Sequence, residues 1–382
     1  MVRPGGAVGP IAWRLTVLPA AGRLGLEPVS VSVSFFLENR MAKLCVYGAG
    51  AVGCYLGGRL LAAGADVTFV GRARVADELR AHGLTLSDYR GRHWQIEAPN
   101  IRCSPDALAA ALADLVLVTV KSAGTPQAAA ELAPVLKPGA VVISFQNGLG
   151  NADVLRAALP RHTVLEGMVP FNVVSRGPGA FHQGSGGELE VRSAPGLQPF
   201  VGVFARAGLP LISHADMRPV QWAKLLFNLN NAINALANQP LKAELSQRAY
   251  RRCLAMAQSE ALGLLAAAGL HAARLTPLPA AWIPRLLALP DGVFARVGGR
   301  MLVIDPLARS SMSDDLAAGR ATEVDWINGE VVRLAGRLGR VAPVNARLCA
   351  LVHDAERGAA RPAWSGEALL AELRRAALQL PQ

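Results

Sequence analysis

The sequence predicts an α/β domain with a parallel sheet, followed by an all-α domain. A short apolar run at residues 43–47 leads through Gly48-Ala-Gly-Ala-Val-Gly53 into a helical pattern, which is a strand, turn and helix in succession. Two further apolar runs, residues 114–120 and 140–144, are typical of central parallel strands covered on both faces. From about Asp216 the pattern is helical to the end. We therefore expect domains at 41–215 and 216–382.

Composition excludes several classes of protein. The net charge of +11 comes mostly from arginines spread through alanine- and leucine-rich helices, with no basic block, so no nucleic-acid partner is expected. No apolar stretch reaches the roughly 18 to 20 residues of a membrane span. The five cysteines never stand in a Cys-x-x-Cys spacing, which indicates neither a disulfide framework nor a metal site. These features predict a cytoplasmic protein of the reducing compartment.

The first forty residues have no sustained period, and Met41 opens almost directly onto the first predicted strand. They lack the charged, apolar and cleavage-site order of a signal peptide. We expect residues 1–40 to be a disordered leader or a mis-assigned start of translation.

The glycine motif has a physical explanation at each glycine. Gly48 permits a tight turn, Gly50 lets the backbone approach a pyrophosphate, and Gly53 lets the helix pack closely on the strand, with phosphate held at the helix N-terminus. This is the Rossmann-type arrangement. The predicted cofactor contacts in this loop are Gly48, Ala49, Gly50, Ala51, Val52 and Gly53.

Arg72 predicts which dinucleotide binds. An acid at the end of the second strand, residues 66–70, would grip the ribose hydroxyls of NAD, but Gly71-Arg72-Ala-Arg74 follows instead. A guanidinium there suits a 2′-phosphate through charge-assisted hydrogen bonds. The cofactor is therefore expected to be NADP(H), with surface arginines at a strand end as the alternative interpretation.

Polar residues follow the two later strands. Lys121 comes after the run at 114–120, and Asn147 comes after the run at 140–144. In an open parallel sheet ligands bind beyond the carboxyl ends of the strands, so both residues are expected where cofactor and substrate meet. Either could instead be an ordinary turn residue. Strand-like stretches at 163–169, 181–184 and 188–192, then a helix and strand within 198–213, are expected to extend the same sheet.

In the second domain, residues 222–236 predict one long helix in which Lys224, Asn228 and Asn231 share a face. At ~100° per residue the two asparagines fall about 40° and 20° from the direction of the lysine. An ammonium and two amides are costly to bury unless they are satisfied, which favours a ligand cleft over a sealed core. An interhelical hydrogen-bond network without a ligand is the alternative.

Glu323 is the second candidate for proton chemistry. Residues 310–315 are typical of a loop and helix start, and a further helix is predicted from Thr322. In that helix Glu323, Trp326 and Ile327 would share a face, which puts the carboxylate beside the apolar stripe. A dipole or capping role in the first helical turn is the alternative.

These motifs, in this order, resemble the ketopantoate reductase (2-dehydropantoate 2-reductase) family over about residues 43–355. The matching segments are Gly48-x-Gly-x-x-Gly53, Val120-Lys121-Ser122, Gln146-Asn147-Gly148, Trp222-x-Lys-Leu-x-x-Asn228, Ser310-Ser-Met-x-x-Asp315 and Gly319-Arg-x-Thr-Glu-Val-Asp-x-Ile-Asn-Gly329. The resemblance implies an interdomain active site, a small 2-oxo acid substrate, and hydride transfer from NADPH to its C2 ketone in pantothenate and coenzyme A synthesis.

The resemblance also implies residue roles. Lys224 is the general acid that protonates the forming alkoxide, and Glu323 binds the substrate hydroxyl and orients the lysine. Asn147 lies near nicotinamide and substrate, Asn228 anchors the substrate, and Ser311 holds its carboxylate. Lys121 and Glu323 are expected to border the cofactor as well. The chemistry agrees, because negative charge grows on the ketone oxygen as hydride arrives and an ammonium stabilises it and donates the proton.

One position departs from the family pattern. Ala232 stands where the family often has a second asparagine two helical turns after the lysine, and Asn231 or Asn234 could replace it in binding substrate. The alternatives are a related reductase of another 2-oxo acid on the same scaffold, or a non-catalytic NADP sensor. The protein is expected to be a monomer or homodimer.

Overall fold

The computed structural model describes residues 42–298, 306–358 and 360–379. The expectation for the leader at 1–40 lies outside these residues. The described residues form one compact unit, with an α/β half followed by a helical half. Within the described residues no helix is long and apolar enough to cross a membrane.

The α/β half contains twelve described strands and five α-helices. The strands are β1 (Lys43–Tyr47), β2 (Asp66–Val70), β3 (Leu84–Asp88), β4 (His93–Ile96), β5 (Arg102–Ser104), β6 (Leu115–Val118), β7 (Val141–Ser144), β8 (Thr163–Met168), β9 (Val173–Ser175), β10 (Ala180–Gln183), β11 (Leu189–Arg192) and β12 (Leu211–His214). The helices are α1 (Ala51–Ala62), α2 (Ala73–His82), α3 (Thr125–Leu132), α4 (Asn151–Ala158) and α5 (Gln198–Arg206).

The main sheet has the order β12-β11-β8-β7-β6-β1-β2-β5, and every pair is parallel except β8 with β11. Successive side chains of β1 enter different cores: Leu44 and Val46 pack on one face of the sheet, while Cys45 and Tyr47 pack on the other. The chain proceeds from β1 to β2 on one side and later to β6 on the other. The strand order therefore reverses beside β1, which is where a doubly wound sheet binds its ligand.

The predicted extension of the sheet is partly wrong. β8, β11 and β12 do join the main sheet, but β10, predicted from residues 181–184, pairs with β3 and β9 in a separate sheet of order β4-β3-β10-β9. The pairing partner of a short strand is a long-range choice, and the alternation of residues 181–184 does not encode it.

The helical half contains ten described α-helices. They are α6 (Arg218–Asn228), α7 (Asn230–Ala237), α8 (Leu241–Leu245), α9 (Arg248–Ala267), α10 (Ile283–Leu287), α11 (Asp291–Val297), α12 (Ser311–Ala317), α13 (Val324–Arg337), α14 (Pro343–Arg357) and α15 (Gly366–Leu378). Their apolar faces share one core, in which Trp222, Tyr250, Leu265, Phe294 and Val352 are almost fully buried. Helix α9 contacts α10, α14 and α15 and runs through the middle of this core.

The single helix predicted at residues 222–236 is wrong at its start and in its continuity. Helix α6 begins earlier, at Arg218, because Pro219 suits the first turn of a helix and Asp216 accepts a hydrogen bond from the Arg218 amide at 3.0 Å. It is separated from α7 at Leu229, whose φ of −56° and ψ of −23° are those of a tighter 3₁₀ turn.

Candidate active site

The glycine loop between β1 and α1 is folded as tightly as the sequence suggests. Gly48 has a φ of +110°, and a Cβ on it would lie 2.6 Å from the Val120 nitrogen. A Cβ on Gly53 would lie 2.3 Å from the Gly48 carbonyl oxygen and 2.5 Å from Thr119 Oγ1. The Thr119 hydroxyl also donates to that carbonyl at 2.7 Å. At Gly48 and Gly53 the loop, the end of β6 and helix α1 are therefore packed without room for another methyl group.

Gly50 shows the opposite environment, and this is where the loop can receive a ligand. Gly50 is exposed, and no atom lies within 4 Å of where its Cβ would be. It is the N-cap of α1, which has no side-chain cap and no acidic residue in its first turn. The first amides of a helix have no intrahelical partner and attract anions. The open cradle beside Gly50 thus fits a dinucleotide phosphate.

The loop residues do not all offer donors to such a phosphate. The amides of Gly48 and Ala49 both donate to the Val70 carbonyl, at 2.8 and 3.0 Å, and the Gly50 amide donates to the Gly48 carbonyl at 2.7 Å. Ala49 is also buried. The donors best placed for a phosphate are therefore the first-turn amides of Ala51, Val52 and Gly53.

Arg72 lies exposed immediately after β2, as the N-cap residue of α2. Its neighbour Arg74 is exposed too, but that guanidinium pairs with Glu78 at 3.1 Å. The position of interest is therefore Arg72, which lies just past the carboxyl end of β2. The ribose of a bound dinucleotide is expected at this strand end.

The two halves meet at the carboxyl ends of β6 and β7, a region that we call the interdomain junction. The α/β half contributes Lys121, Ser122, Asn147 and Pro170, and the helical half contributes Lys224, Asn228, Asp315 and Glu323. Direct hydrogen bonds and an ion pair join these residues. Of the residues that the sequence suggested, Asn147, Asn228 and Glu323 are joined by hydrogen bonds, while Lys121 and Lys224 each contact the opposite half.

Lys224 extends from α6 to the α/β half. Its Nζ donates to the carbonyl oxygen of Pro170 at 2.9 Å, just beyond the end of β8. Burial lowers the pKa of Lys224 from 10.5 to about 8, because removing an ammonium from water disfavours its charged form. The structure thus provides an amine that gives up its proton more readily than an ordinary lysine.

Glu323 is buried and its carboxylate crosses to the α/β half. Oε1 accepts hydrogen bonds from the Ser122 amide and hydroxyl, both at 3.0 Å, and Oε2 accepts one from Asn147 Nδ2 at 3.2 Å. Asn147 Oδ1 in turn accepts a hydrogen bond from Asn228 Nδ2 at 3.3 Å. One carboxylate and two amides therefore form a continuous polar chain across the junction.

The predicted helix from Thr322 is wrong at its start. Helix α13 begins at Val324, and Glu323 precedes it with a φ of −102° and a ψ of 23°. Thr322 Oγ1 accepts a hydrogen bond from the Val324 amide at 3.3 Å, which stabilises the non-helical turn. Glu323 is therefore aimed at Ser122 by this turn, and not by a place on the apolar face of a helix.

Lys121 reaches the junction, but another group holds its ammonium. Nζ pairs with Asp315 Oδ2 at 2.5 Å and donates to the Ala321 carbonyl at 3.4 Å. The buried Asp315 also pairs with Arg320 at 3.1 Å. In this structure the side chain links the two halves.

Asn231 and Ser311 lie on the α7 side of the site, apart from Lys224. The carbonyl of Asn231 accepts a hydrogen bond from Ser310 Oγ at 3.3 Å. Ser310 also caps α12, while Ser311 is its exposed first residue. Among the described residues no hydrogen bond joins Ser311 or the Asn231 amide to Lys224.

Asn234 is not available to replace the family's second asparagine. It is fully buried and bonded to Glu244, to the Gln239 carbonyl and to the Ser310 amide. Ala232 is likewise fully buried. Asn231, which keeps some exposed surface, is the remaining candidate.

Sequence reasoning missed three participants. Ser122 received no role although it follows Lys121, and its position directly after a buried strand was the available signal. Pro170 contributes only a carbonyl oxygen, which no side-chain pattern reveals. Asp315 pairs with a lysine 194 residues earlier, as the two residue numbers show, and that contact depends on the tertiary fold.

Comparisons with known proteins agree with this geometry. The family model described as "Ketopantoate reductase PanE/ApbA" matches residues 44–196, and its C-terminal counterpart matches residues 216–356. A 2-dehydropantoate 2-reductase of Halobacterium salinarum is 30% identical over 322 residues, covering 82% of this chain and 99% of that protein.

Solved structures show the same fold. A ketopantoate reductase of the PanE/ApbA family from Ralstonia eutropha JMP134 has a TM-score of 0.71 and 32% identity, covering 82% of this chain and 98% of that one. A D-mandelate dehydrogenase solved with NADH and anilino(oxo)acetate has a TM-score of 0.68 and 20% identity, covering 82% and 98%, which shows a shared fold alone. The chain is an oxidoreductase and belongs to the ketopantoate reductase family.

Proposed function

We propose that this protein reduces 2-dehydropantoate (ketopantoate) to pantoate with NADPH, and that Lys224 protonates the forming alkoxide. The strongest support comes from the position and the pKa of Lys224. The ammonium of Lys224, with a pKa lowered to about 8, reaches from α6 to the strand ends of the sheet that carries the glycine loop. A proton donor of this kind is what reduction of a ketone requires.

The proton donor has capacity left for a substrate. An ammonium has three N–H donors, and the Pro170 carbonyl accepts one of them. The remaining donors suit the ketone oxygen, on which negative charge develops. Because the pKa of Lys224 is near 8, most molecules carry the proton at neutral pH and release it with little penalty.

The neighbouring polar groups support binding and orientation of the substrate. The carboxylate of Glu323 accepts from Ser122 and Asn147, which fixes its position, and we assign it the substrate hydroxyl. Asn147 is hydrogen-bonded to this carboxylate and to Asn228, so a small ligand that lies beside this row of side chains can contact both amides. We assign Asn231 and the exposed Ser311 to the far end of the substrate and its carboxylate.

A nicotinamide dinucleotide is the cofactor of this family, and when bound it supplies the hydride. The open space at Gly50 and the uncapped first turn of α1 support binding of its phosphates by the amides of Ala51 to Gly53. The exposed Arg72 at the end of β2 supports NADP(H) over NAD(H), because a guanidinium attracts a 2′-phosphate. We further expect Lys121 and Asn147 to border the nicotinamide end.

A related reductase of another 2-oxo acid is the second candidate, and Ala232 favours it. The amide that the family often places there is replaced by a buried methyl group, which removes one polar contact from the α7 side. The fold itself does not fix the substrate, since a D-mandelate dehydrogenase shares it.

The test is steady-state turnover of ketopantoate with NADPH and with NADH, beside straight-chain and aromatic 2-oxo acids. The proposal predicts the highest kcat/KM for ketopantoate with NADPH. A higher value for a straight-chain or aromatic acid would identify the related reductase instead, and equal rates with NADH would refute the role of Arg72.

A further inference from the structure

Four residues beneath Glu323 form a second polar cluster, which we call the Thr322 anchor: Thr322, Asp325, His353 and Glu356. Glu356 Oε1 accepts a hydrogen bond from the Thr322 amide at 2.7 Å, and Glu356 Oε2 lies 3.0 Å from His353 Nδ1. The other ring nitrogen, Nε2, lies 3.0 Å from Asp325 Oδ1. The anchor thus joins helix α14 to the turn that carries Glu323.

The anchor is an ionic arrangement. Both ring nitrogens face carboxylates, so the doubly protonated ring can donate to each of them. The hydrogen bond to Glu356 raises the pKa of His353 against the opposing effect of burial. Burial alone would raise the pKa of Glu356, but the hydrogen bonds from Thr322 and His353 outweigh it and lower that pKa. Glu356 is therefore a charged acceptor with a fixed orientation.

The turn depends on this acceptor because the Thr322 amide lies outside any helix. Glu323 is the non-helical N-cap of α13, and its carbonyl accepts the first helical hydrogen bonds from the Trp326 and Ile327 amides at 3.0 and 3.1 Å. That ladder does not hold the Thr322 amide, which donates to Glu356. Separate contacts hold each residue of the turn: Lys121 donates to the Ala321 carbonyl, Glu356 accepts from the Thr322 amide, and Ser122 and Asn147 donate to the Glu323 carboxylate. Thr322 is itself buried, so its amide would lose its partner without Glu356.

We propose that Glu356, oriented by His353 and Asp325, is a positioning residue that fixes the Thr322 backbone so that the carboxylate of Glu323 stays aligned with Ser122, Asn147 and the substrate. Glu356 touches none of the reacting groups and acts through Glu323. This inference rests on the proposed function, because it assumes that Glu323 serves the reaction.

A double-mutant cycle tests the coupling. Glu356→Ala removes the acceptor, Glu356→Gln keeps an oxygen for the Thr322 amide, and each is combined with Glu323→Gln. Asp354→Ala on the same helix is the matched control, since within the described part of the chain the Asp354 carboxylate forms an exposed ion pair with Arg357. Ketopantoate kcat and KM with NADPH are measured for every variant, along with thermal unfolding.

The expected result is a loss of about tenfold in kcat/KM for Glu356→Ala, mostly through KM for ketopantoate, within the range of coupling between neighbouring residues. Glu356→Gln should recover most of the activity, and Asp354→Ala should retain it. In the Glu323→Gln background, Glu356→Ala should cost less than about twofold, since the group it positions is already lost.

Equal losses in both backgrounds, or no loss from Glu356→Ala while Glu323→Gln is impaired, would overturn the inference but leave the proposed function standing. Full activity of Glu323→Gln would overturn the inference and the role assigned to Glu323, whereas failure of the wild type to turn over ketopantoate would overturn the proposed function. If Glu356→Ala does not fold, His353→Ala replaces it in the double-mutant cycle. The partly exposed His353 ring lies 3.0 Å from the Glu356 carboxylate, so its loss removes the group that orients Glu356.

Discussion

A methyl group added at Gly50 should separate cofactor binding from folding. Gly50 has a φ of −85° and a ψ of −171°, an extended conformation that alanine adopts freely, and its Cβ would meet no protein atom within 4 Å. The space that the methyl group would occupy is the cradle at the N-terminus of α1. Gly50→Ala should therefore obstruct the phosphates of the cofactor and leave the protein's own contacts intact.

The expected magnitudes differ for binding and stability. Alanine is a poorer N-cap than glycine but restricts the unfolded chain more, and these effects offset to within about 1 kcal/mol in the free energy of unfolding. Displacing the phosphate by one bond length weakens charge-assisted hydrogen bonds of about 1.5–3 kcal/mol each, so the Kd for NADPH should rise about 10- to 100-fold.

Gly53→Ala provides the contrast, because its methyl group would lie 2.3 Å from the Gly48 oxygen and 2.5 Å from Thr119 Oγ1. Overpacking of this kind typically costs about 1–3 kcal/mol or more in stability. Gly263→Ala is the control for glycine substitution, since that exposed position in α9 has no atom within 4 Å and lies outside the nucleotide site.

The assay combines NADPH titration by fluorescence with denaturant unfolding of the three variants. We expect weak binding with normal stability for Gly50→Ala, lost stability for Gly53→Ala, and normal binding for Gly263→Ala. Normal NADPH affinity in a folded Gly50→Ala protein would refute the assignment of the phosphate cradle.

Three further predictions concern charge. Because the pKa of Lys224 is about 8, about nine-tenths of molecules carry the ammonium at pH 7 and about one-tenth at pH 9. The value of kcat/KM should therefore fall about tenfold from pH 7 to pH 9, and a flat profile would contradict the general-acid role. The free energy of unfolding should rise from about pH 8 to 10.5, because in this range the lysine holds a proton in the unfolded chain that it has lost in the folded protein. Denaturant unfolding of Lys224→Met should lack this rise. An identical pH dependence in the variant and the wild type would count against the lowered pKa. Arg72→Ala should raise the KM for NADPH about 10- to 100-fold and leave the KM for NADH nearly unchanged. Arg74→Ala is the control, because the Arg74 guanidinium already pairs with Glu78. Equal effects of the two substitutions would refute the 2′-phosphate assignment.

The α/β half was largely predictable because its signals are local. The glycine loop, the buried strands β6 and β7, and the polar residues at their ends follow from short runs of sequence and from the rule that parallel strands end at one edge. The same rule predicted that Lys121 and Asn147 would lie where cofactor and substrate meet. The structure has both residues at the junction, and their contact with ligands stays a prediction. By contrast, β10 left the main sheet because strand pairing is decided by distant partners.

The helical half was predictable in class but not in detail. Lys224 and Asn228 share a face because both lie within α6, four residues apart, whereas the third predicted member, Asn231, lies in α7 beyond the turn at Leu229. The position of Glu323 outside α13 was not predicted. It depends on hydrogen bonds from Ser122 to Glu323 and from the Thr322 amide to Glu356, and both partners lie far away in sequence. Partners of this kind carry no periodic signal.

The most direct test of the central claim is a single-turnover measurement on Lys224→Ala. The enzyme loaded with NADPH is mixed with ketopantoate, and the loss of nicotinamide absorbance is followed in wild type and variant. The account predicts an NADPH Kd within about threefold of wild type and a reduction rate about 100- to 10,000-fold lower, the usual contribution of general acid catalysis. A reduction rate within about threefold of wild type would contradict it.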